Sequence, residues 1–357
     1  MDQALRLAAR AVGRTRPNPV VGCIIVANKK VVGRGFHPKA GEPHAEVFAL
    51  RDAGEMASGA TAYVTLEPCS HTGRTPPCAD ALIKSGISRV VVAMTDPNPK
   101  VSGRGIKKLQ AAGIEVKVGV RQVEAQALNR PFIIWIDKGR PMLTLKMASS
   151  LDGKTATKTG ESQWITCPEA RLRVQNMRSR HDLVMVGIGT VLADDPRLNS
   201  RIAGGRDPIR LVVDSNLRIP DGATIFESSK SAPLWIATLK KNSQERMKEL
   251  TRRGVLLIQC RETSAGKVDL VDMMEQLGRL EITSVLSEAG GILSDALLQA
   301  SVVDRLALFL APKLIGGQDA PGLLKGAGIE KLAQAEKIAG LTVTMVGSDL
   351  LLEGAIL

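Results

Sequence analysis

The chain has 357 residues, 44% of them hydrophobic and 24% charged, a composition that indicates a folded protein with apolar material for two domains. Its formal net charge of +12 favours an anionic partner, either nucleic acid or a phosphorylated small molecule. Because the basic residues are scattered and only 3% of the residues are aromatic, few rings could stack on single-stranded bases, and a nucleic-acid partner is disfavoured.

Neither a membrane segment nor a secretion signal is predicted. No apolar stretch approaches the roughly 20 residues that a membrane span needs. The first 13 residues have the pattern of an amphipathic helix and no cleavage site. The five cysteines show no disulfide-like spacing. We therefore expect a cytoplasmic protein that contacts no membrane, and its self-association into a homo-oligomer is left open.

Apolar periodicity in the first part of the chain predicts alternating strands and helices. Residues 20–26 and 31–35 are the arms of a predicted hairpin, joined by the Asn28-Lys29-Lys30 turn. The elements that follow are a helix over 44–53, a strand over 62–66, a helix over 79–85, a strand over 89–94, a helix over 105–112 and a strand over 114–118. This order predicts an α/β domain, with a mixed sheet covered by helices on both faces.

The alternation is interrupted at residues 129–141, where Asn129-Arg130-Pro131 and Gly139-Arg140-Pro141 occur. We place a domain boundary there, which gives domains over 1–139 and 140–357. A second α/β series is predicted beyond the boundary. Its strands are expected over 142–147, 183–186, 209–214, 234–237, 255–258, 284–287 and 305–310, and its helices over 168–178, 244–251, 268–277 and 294–300.

Four residues of the first domain have the spacing of a zinc site for hydrolytic deamination. His44 and Glu46 stand at the start of a predicted helix, Cys69 ends a strand, and Cys78 opens the next helix. One imidazole and two thiolates fill three corners of a zinc tetrahedron and leave the fourth for water. Glu46, which would not be a ligand, could then move protons to and from that water.

Other interpretations of these residues remain. His44 could cap a helix while the cysteines lie in the core, or the three residues could hold structural zinc, which usually has a fourth protein ligand. For the whole chain, one alternative is a deaminase of another base or nucleotide with a degenerate second domain. The other is a basic nucleic-acid-binding protein with structural zinc, whose binding would fall steeply with salt.

Residues 41–46 (GEPHAE) and 67–78 (EPCSHTGRTPPC) resemble the bifunctional deaminase/reductase family of riboflavin biosynthesis. General nucleoside and tRNA deaminases usually have two residues between the cysteines, whereas this chain has eight. The resemblance implies a cytidine-deaminase-like three-layer α/β/α fold and one Zn²⁺ per chain, held by His44, Cys69 and Cys78.

The resemblance also implies a substrate, 2,5-diamino-6-(ribosylamino)-4(3H)-pyrimidinone 5'-phosphate. Zinc-bound hydroxide would displace its 2-amino group as ammonia, with Glu46 as the catalytic residue that moves the protons. By the same resemblance, the substrate pocket is lined by Asn18, His37, His71 and Arg74, with Asp96 nearby.

Two glycine-bearing strand ends mark the second domain, in which no reliable Gly-x-Gly-x-x-Gly fingerprint of a Rossmann fold is found. They are residues 184–190 (VMVGIGT) and 285–291 (VLSEAGG), the latter before a predicted helix. Glycines at such a junction let the backbone approach a phosphate. Each segment alone is better explained as an ordinary strand-to-helix turn.

Together with residues 146–154 (KMASSLDGK) and 160–166 (GESQWIT), these segments resemble the reductase half of the same family. The resemblance implies a dihydrofolate-reductase-like α/β fold and NADPH-dependent reduction of the ribosyl group, giving 5-amino-6-(ribitylamino)uracil 5'-phosphate. The positions that match NADPH contacts are Ala148, Trp164, Thr190, Asp194, Ser215, Gly290 and Gly291. The positions that match substrate contacts are Ser162, Arg178, Leu198, Arg201 and Glu288, with the two arginines as partners of the 5'-phosphate.

Overall fold

A computed structural model describes residues 1–70, 77–99, 101–227 and 232–357 of the chain. The chain divides into two compact units, Met1–Gly139 and Arg140–Leu357, called unit 1 and unit 2 below. Each unit has its own hydrophobic core. Among the described residues, no helix has the length and apolar character needed to cross a membrane.

Unit 1 has three layers, with one sheet between two sets of helices. Its described elements are α1 (Asp2–Ala9), β1 (Gly22–Ala27), β2 (Lys30–Phe36), α2 (Ala45–Ala53), β3 (Thr61–Val64), α3 (Cys78–Lys84), β4 (Arg89–Val92), α4 (Arg104–Ala111), β5 (Glu115–Val118), α5 (Gln122–Leu128) and α6 (Arg130–Lys138). The strand order is β2-β1-β3-β4-β5. Strand β1 is antiparallel to β2 and β3, whereas β3, β4 and β5 are parallel.

Neighbouring residues of β1 face opposite sides of this sheet, as the pleat of a strand requires. Cys23 and Ile25 pack in the core that α2, α3 and α4 cover, whereas Gly22 lies against Ala4 of α1. The helices therefore cover both faces, and the predicted three-layer α/β/α fold is confirmed.

The interruption expected at residues 129–141 contains a helix, α6. Pro131 lies in the first turn of α6, where the missing N–H costs no intrahelical hydrogen bond. The Asn129 side chain accepts a hydrogen bond from Val20 N at 2.8 Å and donates one to Val20 O at 3.0 Å. The residues that read as a break thus begin a helix that is tied back to the start of the sheet.

Two glycines of β2 allow α2 to approach the sheet closely. A Cβ atom on Gly35 would lie 2.1 Å from Ala45 O and 2.5 Å from Ala49 N, and one on Gly33 would lie 2.2 Å from Ala49 O. These are backbone atoms of α2, so a side chain at either glycine would have to displace the helix. The helix begins directly after His44, and its height above the sheet therefore sets where His44 and Glu46 lie.

We expect Gly35→Ala to destabilise unit 1 by about 1–3 kcal/mol or more, the usual cost of overpacking a close-packed contact. The same displacement should lower the zinc affinity, since α2 would carry His44 away from the cysteines. Thermal unfolding and metal analysis would measure both effects. The matched control is Gly222→Ala, because a Cβ atom there meets nothing within 4 Å among the described residues. A Gly35→Ala protein with unchanged stability and metal content would contradict this interpretation.

Unit 2 is built on a sheet that is parallel for most of its width. Its described elements are β6 (Met142–Ser150), α7 (Pro168–Arg180), β7 (Leu183–Gly187), α8 (Ile188–Asp194), β8 (Ile209–Val213), β9 (Leu234–Leu239), α9 (Gln244–Arg252), β10 (Leu256–Cys260), α10 (Leu270–Arg279), β11 (Ser284–Ser287), α11 (Gly291–Gln299), β12 (Arg305–Ala311), β13 (Ile338–Val346) and β14 (Asp349–Ile356). The strand order is β10-β9-β8-β7-β11-β6-β12-β14-β13.

The strands from β10 to β12 in this order are parallel, and β14 and β13 add an antiparallel hairpin at one edge. Val184 and Met185 are neighbours on β7 but belong to different core clusters, one covered by α7, α8 and α9 and the other by α10 and α11. Helices on both faces bury a parallel sheet, and loops at the carboxyl ends of its strands are where α/β folds bind ligands.

Candidate active sites

Three side chains of unit 1 converge as a metal site would require. The ligand atoms of His44, Cys69 and Cys78 all lie within 4.8 Å of one another. His44 Nδ1 is 3.2 Å from Cys78 Sγ and 3.7 Å from Cys69 Sγ. These distances bracket the roughly 3.5 Å expected between nitrogen and sulfur ligands of tetrahedral zinc, given Zn–N near 2.0 Å and Zn–S near 2.3 Å. The donor set therefore fits Zn²⁺ with a fourth position left open.

His44 and Cys78 are placed by the starts of helices, whereas Cys69 lies in the irregular segment after β3, which ends at Val64. The prediction that Cys69 ends a strand is therefore wrong. His44 is the residue before the first turn of α2, with extended backbone and no side-chain bond to the helix amides, so its ring can face the cysteines. Cys78 is the first residue of α3 and follows Pro77, and its backbone N–H donates to Cys69 Sγ at 3.3 Å. Hydrogen bonding from the Cys78 thiol, with that from His44, lowers the pKa of Cys69 to about 4, and the same pairing raises the pKa of Cys78.

Glu46 supplies a carboxylate beside these ligands. It lies in the first turn of α2 and is 3% exposed, and its Oε2 has no hydrogen-bond partner in the described ranges. Burial, and next the charge of Cys69, raise the pKa of Glu46 to about 7. A carboxyl group with a pKa near neutral can both accept and return a proton. The unpartnered buried oxygen fits a proton-transfer group.

Two of the predicted pocket residues lie against His44. The rings of His37 and His44 meet edge to face with centroids 5.3 Å apart. His37 Nδ1 lies 3.1 Å from Pro43 O, and its Nε2 lies 3.1 Å from Asn18 Nδ2. Because a carbonyl can only accept, Nδ1 carries the proton and Nε2 accepts from Asn18. Burial lowers the pKa of His37, and the ring is therefore a fixed neutral imidazole at neutral pH.

The remaining predicted residues of this pocket are placed less fully. His71 and Arg74 lie outside the described residues. Asp96 N donates to Glu67 Oε2 at 3.2 Å, and Asp96 Oδ1 accepts from Asn98 N at 2.8 Å. Asp96 is therefore linked through Glu67 to the segment that contains Cys69.

Replacing one thiolate should remove the metal. We expect Cys78→Ser to weaken zinc binding by more than about 100-fold, because changes even of groups outside the ligand set cost 10–100-fold, and to lower the unfolding temperature of the protein. Zinc content after dialysis against a chelator would measure this. Cys23→Ala is the control, since Cys23 is a fully buried cysteine of the same unit that is not in the ligand group. A full metal complement in Cys78→Ser would exclude Cys78 as a ligand.

In unit 2, four groups of predicted residues lie at or just beyond the carboxyl ends of neighbouring parallel strands. Ala148 is near the end of β6, Thr190 and Asp194 lie in α8 after β7, Ser215 follows β8, and Glu288, Gly290 and Gly291 follow β11. Strands β8, β7, β11 and β6 are adjacent in the sheet. A Cβ atom on Gly290 would lie 3.7 Å from Thr190 Oγ1, so the first turn of α8 is in contact with the loop after β11. These residues therefore lie together at the carboxyl ends of four interior strands of the sheet.

A buried ion pair lies at the same carboxyl ends of the strands. Arg178 donates to Glu288 from Nε at 2.5 Å and from Nη2 at 2.9 Å, and its Nη1 donates to Asn199 O at 3.2 Å. The two side chains are 12% and 10% exposed. The Arg178 charge lowers the pKa of Glu288 in spite of its burial. The Nε and Nη2 groups of Arg178 are therefore both hydrogen-bonded to Glu288.

Lys146 is a residue of this site to which the sequence analysis gave no role. Burial lowers its pKa, while the charge of Glu288 opposes that effect and the charge of Arg178 adds to it. Its Nζ lies 6.0 Å from the centroid of the Phe309 ring. In the sequence, the only sign of a role for Lys146 is that a lysine stands within an apolar strand. The strand pattern does not show which side chains this lysine contacts.

The other predicted residues of unit 2 differ in exposure. Trp164 is 59% exposed, with Arg171 Cζ 4.6 Å from its ring centroid, and its carbonyl accepts from Lys313 Nζ at 2.8 Å. Leu198 is 3% exposed and packs in the core, so its side chain faces away from solvent. Ser162 is half-buried, whereas Asp194 and Arg201 are exposed. Ser215 Oγ accepts from Val268 N at 3.1 Å.

Comparison with known proteins identifies the family to which both units belong. The family model described as "Cytidine and deoxycytidylate deaminase zinc-binding region" matches residues 1–94, and "RibD C-terminal domain" matches residues 141–352. The Riboflavin biosynthesis protein RibD of Escherichia coli is 47% identical over 365 residues, covering 99% of this chain and 97% of that protein. The chain belongs to the RibD family.

Solved structures agree with this assignment over the full length. RibD of Acinetobacter baumannii (form 1) has a TM-score of 0.89 at 42% identity, covering 100% of this chain and 97% of that one. A Thermotoga maritima protein, described as a diaminohydroxyphosphoribosylaminopyrimidine deaminase/5-amino-6-(5-phosphoribosylamino)uracil reductase, has a TM-score of 0.87 at 34% identity with the same coverage. The predicted RibD enzyme type, a deaminase joined to a reductase in riboflavin biosynthesis, is confirmed. Zinc and NADPH fit the two halves of such a protein.

Proposed function

We propose that residues 1–139 deaminate 2,5-diamino-6-(ribosylamino)-4(3H)-pyrimidinone 5'-phosphate and that residues 140–357 reduce the product with NADPH to 5-amino-6-(ribitylamino)uracil 5'-phosphate. The observation that carries the proposal is the convergence of His44, Cys69 and Cys78 beside the buried, unpartnered oxygen of Glu46. Three donors with an adjacent proton-transfer group are the requirements of hydrolytic deamination.

In the deaminase half, His44, Cys69 and Cys78 would hold Zn²⁺, which when bound brings the pKa of a coordinated water near 7. Glu46 takes the proton of the attacking water and delivers it to the departing amino group, so that water and the amine become a carbonyl and ammonia. His37, fixed as a neutral imidazole by Pro43 and Asn18, keeps a polar wall beside His44 without adding a charge. His71 and Arg74 complete the proposed pocket by family resemblance.

In the reductase half, the proposed NADPH contacts are Ala148, Trp164, Thr190, Asp194, Ser215, Gly290 and Gly291. NADPH, when bound, supplies the hydride. Gly290 precedes the first turn of α11 and has no side chain, and the start of a helix is a favourable place for a cofactor phosphate. Exposed Trp164 offers a ring that can cover the cofactor and exclude water.

The substrate side of this site would use Ser162, Arg178, Leu198, Arg201 and Glu288. Because Arg178 already pairs with Glu288 through two hydrogen bonds, we assign it to holding that carboxylate and give the 5'-phosphate to the exposed Arg201. Leu198, with its side chain in the core, would meet the substrate through its backbone. The charge of Lys146 interacts with those of Glu288 and Arg178, and we assign Lys146 as a further polar contact for the pyrimidine.

The decisive experiment incubates the purified full-length protein with the diaminopyrimidinone phosphate, with and without NADPH, and identifies the products by mass. Without NADPH we expect loss of one amino group as ammonia and gain of one carbonyl oxygen. With NADPH we expect the further addition of two hydrogens. Reduction without deamination, or deamination of a different base in preference, would contradict the proposal. We also propose that the protein is cytoplasmic and binds no nucleic acid, since its basic residues are scattered and few aromatic rings could stack on bases.

A further inference from the structure

Glu67, two residues before Cys69, is a buried carboxylate that none of the steps above uses. It is 3% exposed. Its oxygens accept hydrogen bonds from four backbone N–H groups, with Oε2 bound to Asp96 N at 3.2 Å and Gly103 N at 2.9 Å, and Oε1 bound to Gly105 N at 2.9 Å and Ile106 N at 3.3 Å.

Three of these amides belong to the start of α4, where the first N–H groups have no partner within the helix. A carboxylate suits this place because it only accepts hydrogen bonds and because negative charge is favoured at the start of a helix. Glu67, in the segment after β3, therefore accepts hydrogen bonds from the amides at the start of α4. The same side chain also accepts one from Asp96 N. The carboxylate joins three segments of the chain.

The contact is close enough to fix the chain before Cys69. A Cβ atom on Gly105 would lie 1.9 Å from Pro68 O and 3.3 Å from Glu67 Oε1. The backbone of α4 therefore directly contacts the segment that carries Cys69. Cys69 is held on its other side by the amide of Cys78, so its sulfur has little freedom while the Glu67 contacts are intact.

We propose that Glu67 is a positioning residue of the deaminase site. Its carboxylate fixes the Pro68–Cys69 segment, and with it the Cys69 sulfur, relative to Asp96 and α4. The inference rests on the proposed roles of Cys69 as a metal ligand and of Asp96 as a neighbour of the substrate. A glutamine in this position would present an NH₂ group to backbone N–H groups and could satisfy only part of the set.

The test uses the full-length protein with Co²⁺ in place of Zn²⁺, since the sulfur-to-cobalt absorption bands report the geometry of thiolate ligands. In Glu67→Gln we expect these bands to shift, the deaminase kcat to fall by about 10–100-fold, as for other groups that orient metal ligands, and the KM to rise. The matched control is Glu55→Gln, a change at an exposed residue of the same unit. Reductase activity on the deaminated product should stay unchanged in both variants.

A lower unfolding temperature with unchanged cobalt bands, kcat and KM would overturn the inference and leave Glu67 with a purely structural role. If Glu67→Gln does not fold, Gly105→Ala decides, because it keeps the carboxylate and pushes on Pro68 O. Unchanged cobalt bands in Gly105→Ala would then refute the inference. If the unmodified protein itself lacks a sulfur-to-cobalt band, the assignment of the ligands fails first, and the inference fails with it.

Discussion

Replacing Glu46 with glutamine is expected to lower the deaminase kcat by at least about 100-fold, because a positioned acid–base group contributes roughly 10²–10⁴-fold. Glutamine has nearly the same shape and should fit the buried position, but its amide cannot take up the proton of water. Zinc should remain bound, since Glu46 is not in the group formed by His44, Cys69 and Cys78. Initial rates of ammonia release and metal analysis of the same preparation would measure both effects.

The matched control for this change is Glu42→Gln. Glu42 lies four residues earlier, and its side chain is 43% exposed and 3.6 Å from Lys39, so its replacement should leave kcat unchanged. Both variants should reduce the deaminated product at the normal rate, which shows that the chain is folded. Loss of zinc from Glu46→Gln would show that Glu46 is a ligand, and the role assigned to it would be wrong.

In unit 2 the largest effect is expected from Glu288→Gln. The change leaves the Arg178 charge buried without its partner, and breaking a buried ion pair in this way costs about 3–5 kcal/mol. If the pair orders the substrate site, as proposed, a loss of this size corresponds to at least about 100-fold in the reduction rate. The oxidation of NADPH in the presence of the deaminated product and the unfolding temperature are the two measurements.

Glu227→Gln provides the comparison, because Glu227 pairs with Arg197 at 3.2 Å on the surface, where the side chains are 64% and 62% exposed. Exposed pairs contribute only about 0–1 kcal/mol, and we expect neither stability nor activity to change noticeably. A Glu288→Gln protein that unfolds at lower temperature but keeps its kcat and KM would show that the pair serves the fold alone.

The metal site was predictable from the sequence because its signals are local. His44 and Glu46 lie two residues apart at the start of a helix, and each cysteine directly follows a proline, Pro68 or Pro77, with Cys78 opening α3. The contact between Asn18 and His37, by contrast, joins residues 19 positions apart. Family resemblance named these two residues, but their contact depends on how the β1–β2 hairpin places the end of β2 near α2.

The sequence analysis did not predict α5, α6, α8, β13 and β14, and for α6 and β13 the reason is an ambiguous local pattern. Helix α6 begins beside Pro131, which indicates a break as readily as a first turn. Strand β13 contains Gly340 and is exposed over most of its length, so it lacks the alternation of buried and exposed residues that predicts a strand. It is held by pairing with β14 across the tight turn at Gly347 and Ser348, which no apolar periodicity reports.

The close packing of α2 against Gly33 and Gly35 limits which residues β2 can contain. Glycine is among the poorest strand formers, and a β-branched residue at either position would favour the strand locally. In unit 1, β2 therefore has a lower strand propensity, because its glycines let the helix that carries His44 and Glu46 pack directly against the strand backbone. Any attempt to stabilise the protein by improving strand propensity should avoid these two positions, where the local preference of the chain and the placement of its site are in direct conflict.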